Sequence, residues 1–437
     1  MLAYPVMLSQ LGHTLVGVAD SMMVGQLGTE PLAAAALGNV IFHVLMTFGI
    51  GVSYAITPLV AAADGEGNIE KSASVLKHGT LINFTISLIL VLLVFAGGNG
   101  LGFLDQPQDV LKLAIPYLGI ITISIIPLML FQSGRQFAEG LSQTRQAMIV
   151  TVFSNVVNIG LNYLLIFGKL GFPAMGLNGA GYATLISRVL MALVIWMYLR
   201  RSARYSPYFN VMASVKLRWK KAKELLRIGL PAGFQFIFEV GAFGFSTIMI
   251  GWFGAKQLAA HQIAINMASI SYMMASGLAA AATIRVGNQL GRKDFPTLQK
   301  AAFSIFIMVI IFMSVFAAIF VVGRTFLPSL YIHDLEVIGI ASSLLIIAAL
   351  FQISDGVQVV GLGALRGLAD VKIPTLITFV AYWIIGLPLG YVLGFTFNLG
   401  INGIWYGLSF GLTVAAIMSF VRFRNISRHK MMLGQEK

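Results

Sequence analysis

The sequence predicts an all-α membrane protein: twelve transmembrane helices arranged as two six-helix repeats of the same orientation. Three observations carry this. Of 437 residues, 58% are hydrophobic and only 10% charged, against about 25% charged in an average soluble domain. The apolar residues gather into runs of roughly 20 or more, each enough to cross a bilayer core as a helix. The second half of the chain also repeats the first.

In chain order the spans fall at 2–27, 32–62, 75–98, 111–134, 146–168 and 177–199, then 228–253, 258–287, 299–322, 337–363, 373–396 and 402–424. Met1 runs straight into the first span without a basic segment or a small-residue cleavage site. The first span is therefore expected to act as the insertion signal, with no cleavable signal peptide. The domains expected are an N-terminal six-helix lobe (1–205), a cytoplasmic basic linker (206–227) and a C-terminal six-helix lobe with a short basic tail (228–437).

The net charge of +13 comes from 29 basic and 16 acidic side chains. Its placement separates a membrane topology from a nucleic-acid partner. Nine bases lie between Arg200 and Arg227 (Arg200, Arg201, Arg204, Lys216, Arg218, Lys220, Lys221, Lys223, Arg227), with Glu224 the single acid among them. Such a loop stays in the cytoplasm. The loops on the other side then carry only Lys112, Lys169, Lys256 and Arg324. Both termini are then expected to face the cytoplasm, and no nucleic-acid partner is expected. The absence of cysteine excludes a disulfide framework, a thiolate nucleophile and a thiolate metal site.

A shift of 226 residues lays Pro5 on Pro231, Gly25 on Gly251, Gly28 on Gly254, Leu32, Ala33 and Ala34 on Leu258, Ala259 and Ala260, Gly51 on Gly277, Thr57 on Thr283 and Gly65 on Gly291. At a shift of 220, Phe131 and Gln132 fall on Phe351 and Gln352. At 224, Gly176, Asn178, Gly179 and Tyr182 fall on Gly400, Asn402, Gly403 and Tyr406. Six spans per repeat, an even number, give both halves the same orientation, which suits alternating access with substrate held between them. Pro231 is preceded by the amphipathic stretch Lys220–Leu230 but Pro5 only by Met1–Tyr4. The native N-terminus is therefore expected to lie further upstream, which an intact mass would check.

Three acids lie within spans: Asp20 in the first, Glu239 in the seventh and Asp355 in the tenth. An intramembrane carboxylate costs several kcal/mol unless partnered and marks a functional site by default; the bland alternative is a neutral acid bonded to a neighbouring helix. Counting rise from the outer helix ends puts Asn162, Asn158 one turn below it and Thr184 at roughly the level of Asp20. Carboxylate, amide and hydroxyl oxygens make a hard-oxygen set suited to a small cation or a proton, unless they are only helix-packing contacts. Glu239 falls on His13 and Asp20 on Ser246 at the 226 shift, so the repeats diverged where the charge sits. Two carboxylates sharing a cavity, as Glu239 and Asp355 would, either raise one pKa or recruit a cation.

Other candidates carry plainer readings. Arg188 is expected to snorkel or bind carbonyls rather than pair with an acid, and His13 and His261 to be packing histidines rather than proton relays. The glycines at 49, 51, 361, 363 and 367 lie inside spans and follow no strand, so they are read as close helix contacts and not as a nucleotide fingerprint. The 20 Met and 31 Phe suit a promiscuous pocket, though most must face lipid or pack helices.

The segments Val18–Gly28 (VADSMMVGQLG), Ala259–Asn266 (AAHQIAIN), Arg285–Gly291 (RVGNQLG), Phe351–Gln358 (FQISDGVQ) and Leu365–Pro374 (LRGLADVKIP) resemble the multidrug and toxic compound extrusion (MATE) family, the NorM-like bacterial branch above all. The resemblance covers essentially the whole chain. It implies a V-shaped two-lobe architecture and an inward- and outward-facing cycle that exports hydrophobic, often cationic compounds against sodium or proton entry, with no cofactor. By resemblance, Asp20 matches the acid of the N-lobe site, Asn158 and Asn162 its fifth-helix polar pair, and Thr184 a sixth-helix polar position. Glu239 and Asp355 match the C-lobe acids. Asp20, Glu239 and Asp355 are the candidate Na+ ligands. Pro5 matches a first-helix proline where bending has been proposed, and Phe351 stands where some relatives have a tyrosine, which removes one hydroxyl ligand.

The function expected is a cation-coupled antiporter, sodium favoured over proton, working as a monomer among membrane lipid. An enzyme is disfavoured: there is no HExxH helix and no P-loop. A channel has no need of two lobes with asymmetric acids. The serious rival is a flippase of a lipid-linked sugar precursor, whose cavity would favour basic residues.

Overall fold

The computed structural model describes residues 2–97 and 107–435; the side chains of residues 13–15 and 433–435 fall outside that description, and with them His13, as does residue 98 at the end of the third expected span. Among the described residues every regular element is helical. Among the described residues, eleven helical segments are long and apolar enough to span a membrane. The twelfth expected span is α1 (Ala3–Gly25), whose 23 residues give about 35 Å of length. Its apolar run is broken by Ser9, Gln10, His13, Thr14, Asp20 and Ser21.

The remaining helices of the first repeat are α2 (Thr29–Ser53), α3 (Ile56–Gly65), α4 (Ile69–Ala96), α5 (Gln108–Ile123), α6 (Ile125–Gly140), α7 (Arg145–Phe167) and α8 (Gly176–Arg201). A short α9 (Ser206–Ser214) leads into α10 (Trp219–Gly251). Then come α11 (Ala255–Arg292), α12 (Phe295–Val322), α13 (Phe326–Ser329), α14 (Leu335–Gly367), α15 (Lys372–Phe379), α16 (Leu387–Tyr391) and α17 (Gly400–Gln435). The chain forms two compact units. One comprises Leu8–Gly233; the other comprises Phe234 onward together with the start of α1, up to Met7.

The repeats differ where their helices are interrupted. α2 and α3 form one span with a turn at Tyr54 and Ala55, and α5 and α6 one span broken at Ser124, whereas their counterparts α11 and α14 are continuous. In the span Lys372–Thr396 the turns at Val380–Gly386 and Val392–Thr396 are π-helical. Pro388 lies between them; it offers no N–H to the carbonyl four residues earlier, and the turns on either side widen.

Packing corrects one register. Thr57 donates to the carbonyl of Gln136 at 3.1 Å, and Thr283 to that of Gly363 at 2.8 Å. A Cβ on Gly140 would meet Val60 and the Thr57 carbonyl; one on Gly367 would meet Val286 and the Thr283 carbonyl. The α6 and α14 helices therefore correspond at a shift of 227, not at the 220 suggested by Phe131, Gln132, Phe351 and Gln352. Seven residues are close to two turns, so the wrong register still lands on the same face.

Helix entries are fixed by caps that recur between repeats. The Asn68 side chain accepts from Lys71 N–H at 2.8 Å, and Asp294 accepts from Thr297 N–H at 3.1 Å. Each satisfies a donor that the first helical turn leaves open.

Candidate functional site

In the first unit, Ser154, Asn158 and Asn162 recur every four residues along α7 and form one stripe. Asn162, fully buried, donates from Nδ2 to Asp20 Oδ1 on α1 and to Asn158 Oδ1 at 3.2 Å. Asn158 donates in turn to Ser187 Oγ on α8 at 3.4 Å. Ser187 Oγ donates to the Thr184 carbonyl at 3.0 Å, and its own carbonyl accepts from Ser154 Oγ at 2.9 Å. Thr184 thus joins this network through its backbone. The Asn162 Oδ1 is buried without a hydrogen-bond partner. Such an acceptor carries a desolvation cost that a cation, a water or a proton on a neighbouring oxygen would relieve.

Arg188 lies one residue beyond Ser187. Its Nη1 donates to Ser124 Oγ at 2.7 Å, and its guanidinium stands over the Phe42 ring, 4.8 Å from the centroid. It therefore binds a hydroxyl and a ring face, and its charge also acts on Asp20 through space. Ser124 is the residue at which α5 gives way to α6, so the helix break supplies the hydroxyl that anchors this cation.

In the second unit, Glu239 on α10 and Asp355 on α14 are each 6% exposed and repel one another electrostatically. Glu239 hydrogen-bonds with Tyr272 of α11 and is attracted by Arg366 of α14. Arg366 also stands over Phe236, 5.7 Å from its centroid. Tyr382 donates to Gln358 Oε1 at 2.7 Å and feels the negative charge of both acids. Gln352 lies three residues before Asp355, and neither its Oε1 nor its Nε2 has a partner although the residue is fully buried. The two acids thus share a low-dielectric environment with one cation and several neutral dipoles.

The structure places Asp20, Asn158, Asn162 and Thr184 in one unit and Glu239 and Asp355 in the other. Among the described residues no three His, Cys, Asp or Glu side chains gather as a metal site would require; the oxygens at hand are mostly amide and hydroxyl. His261 is a packing residue: Nδ1 accepts from Trp405 Nε1–H at 3.1 Å and Nε2 lies 2.9 Å from Thr247 Oγ1. Sequence reasoning missed Ser187, Ser154, Ser124, Tyr272 and Arg366. The i, i+4 stripe through Ser154, Asn158 and Asn162 was a usable signal for the first serine; nothing local marked the others.

A family model described as MatE matches residues 5–164 and again 231–392, once in each repeat. The chain belongs to the MatE family. It is 35% identical to the multidrug resistance protein MdtK of Yersinia pseudotuberculosis serotype O:1b (strain IP 31758) over 97% of this chain and 94% of that one. It is 34% identical to the multidrug resistance protein NorM of Photobacterium profundum, with the same shares covered. Its fold matches a MATE structure in a bent conformation with a TM-score of 0.91 at 21% identity, covering 99% of this chain and 96% of that one. The eukaryotic MATE transporter AtDTX14 matches with a TM-score of 0.87 at 21% identity, over 99% and 97%. This MatE protein is accordingly a multi-pass membrane transporter of the twelve-helix MATE fold, and not an enzyme.

Proposed function

We propose that this MatE protein is a multidrug efflux antiporter that exports hydrophobic cationic compounds by alternating access, driven by entry of sodium or, second in preference, of a proton. The observation that carries the reading is the presence in each unit of carboxylates inside the spans, set among hydrogen-bonding dipoles: Asp20 with Asn162, and Glu239 with Asp355 and Tyr272. Anionic groups in a low-dielectric span favour a cation over any other cargo. Its relatives MdtK and NorM are multidrug resistance proteins, which supports drug efflux. The preference for sodium rests only on the resemblance to the NorM-like branch and on the combination of Glu239 with Asp355.

In the cycle, the acids release drug and take the cation in the outward-facing state, and the bound ion favours the return. In the inward-facing state the ion leaves and drug binds. Coupling requires that ion and drug each discriminate between the two states. The protein acts as a monomer in the bacterial inner membrane with both termini cytoplasmic. Single cysteines placed in loops of this cysteine-free chain and labelled with an impermeant maleimide on intact cells would test that orientation.

The deciding experiment is efflux of a fluorescent lipophilic cation from proteoliposomes under a sodium gradient and, separately, a proton gradient. Efflux driven by sodium is expected. Efflux driven only by protons reassigns the ion, and efflux under neither gradient gives the lipid-flippase reading precedence.

A further inference from the structure

The helix α10 has 33 residues, about 50 Å of length, against ~30 Å of hydrocarbon to cross. The surplus lies at its start, where Lys220, Lys221, Lys223 and Arg227 follow Trp219. Trp219 is 75% exposed and Leu217 56% exposed. Around them Lys216, Arg218, Lys220, Lys223 and Arg227 are all exposed, and Lys221 pairs with Glu224 at 3.0 Å.

This segment is held in place. Lys77 Nζ of α4 donates to the carbonyls of Met212 and Val215 at 3.2 and 2.7 Å. The neighbouring His78 is buried and accepts the Arg218 N–H on Nε2 at 2.9 Å, while its Nδ1 lies 2.8 Å from the Ser74 carbonyl. On the other face Leu225 and Ile228 are buried, and Gly229 lets α10 approach the Val52 carbonyl, which a Cβ would meet at 2.7 Å. The strap fixes the backbone, so the exposed indole and the bases are presented together.

The geometry points to residues 216–227 as a binding surface for acidic phospholipids, with Trp219 and Leu217 seated among the lipids and the surrounding bases on their phosphates. An indole, apolar with a single N–H, prefers the headgroup level of a bilayer, and each base near an acidic surface adds a favourable increment. A dissolved phosphate would satisfy the bases but leave Trp219 and Leu217 in water; a lipid satisfies both. Because residues 202–218 connect the two repeats, the headgroups would hold the connector itself.

The test uses the full chain in liposomes and reads Trp219 as the difference in emission between wild type and W219F, the other four tryptophans cancelling. Phosphatidylglycerol or phosphatidylcholine with brominated acyl chains is added at equal mole fraction. Trp219 should be quenched by both, and about two-fold or more strongly by the acidic lipid, given the surface attraction of several bases. The preference should fall toward unity in the combined variant K216Q/R218Q/K220Q/K223Q, with quenching by phosphatidylcholine retained. Equal quenching by the two lipids in wild type would overturn the proposal, as would absence of quenching. Loss of the preference on adding inorganic phosphate at constant ionic strength would reassign the surface to free anions. None of these readings involves transport, so they stand or fall separately from the antiport reading.

Discussion

In the first repeat, α8 presents Gly179, Ala183 and Ser187 to α7; at the same positions of the second repeat, 224 residues on, α17 presents Gly403, Gly407 and Gly411. The sixth helix thus keeps the same small-residue face in both halves, yet the fifth helix answers it differently. Against Ser187, α7 sets Ser154 and Asn158, and the hydrogen bonds continue through Asn162 to Asp20. Against the three glycines, the π-helical span sets Gly386, Gly390 and Gly394. One seam became a polar network that reaches an acid, and the other a close-packed contact of backbones, of the kind that drives helix association in lipid. The acids of the second repeat lie elsewhere: Glu239 on α10, the counterpart of α1 but two turns from the position equivalent to Asp20, and Asp355 on α14. A duplicated fold can therefore divide its chemistry unequally while preserving every span.

The sharpest way to break this comparison is to place a methyl group in the glycine seam. A Cβ on Gly407 would lie 2.2 Å from the Gly390 nitrogen and 2.3 Å from its Cα, both backbone atoms. Gly407→Ala should therefore destabilise the folded protein by about 3 kcal/mol or more, the upper range for overpacking, read as loss of monodisperse protein on heating in detergent. Its counterpart already carries that methyl group as Ala183, so Ala183→Gly should cost only about 1 kcal/mol. Equal effects at the two sites would refute the division of roles.

The next largest effects should fall on transport. In proteoliposomes, Asp20→Asn, Glu239→Gln and Asp355→Asn are each expected to lower ion-driven efflux about a hundredfold, equivalent to ~2.7 kcal/mol. Survival of efflux in Asp20→Asn alone would move the coupling ion wholly to the second repeat. Survival in both Glu239→Gln and Asp355→Asn would move it to the first.

The spans were legible in the sequence because a lipid-facing helix must be apolar for its whole length. The even repeat followed because close-packing glycines and prolines mark fixed positions. Counting depth put Asn162 at the level of Asp20, and their side chains do hydrogen-bond. The breaks at Tyr54 and Ser124 and the widened turns near Pro388 were not legible, since each depends on which neighbour accepts the freed backbone groups. The α6–α14 register was misread because two turns of slip preserve the face. Tyr272 and Arg366 escaped notice because their shared partner, Glu239, lies on another helix, α10.

A smaller effect should follow from interrupting the polar seam. Asn158→Leu removes both the acceptor for Asn162 and the donor to Ser187. The expected cost is about 2 kcal/mol, within the range for buried polar groups left unpaired, measured by thermal unfolding. If instead Asn158→Leu is neutral while Tyr382→Phe, which strips the bond to Gln358, is costly, the polar network is not what holds the first seam.

The smallest difference between the repeats concerns how their fourth spans begin. α5 follows Pro107, which offers no side-chain cap; α14 follows Asp334, the residue 227 positions on. Asp334 accepts from the N–H groups of Glu336 and Val337 at 2.9 and 3.3 Å. Those backbone bonds, to Val337 and Glu336, and then the charge of Lys256 hold its carboxyl below the ordinary carboxylate value. The sign follows from linkage: a depressed pKa contributes stability above the unfolded value and loses it as pH falls through the folded one. Acidification should therefore lower the protection of the amides in the first turn of α14, measured as the exchange rate relative to the intrinsic rate at each pH, and leave the protection in the first turn of α5 unchanged. Asp334→Ala should give the same loss of protection at neutral pH. Protection at the two helix starts that responds equally to acid would show that the cap is not what distinguishes them.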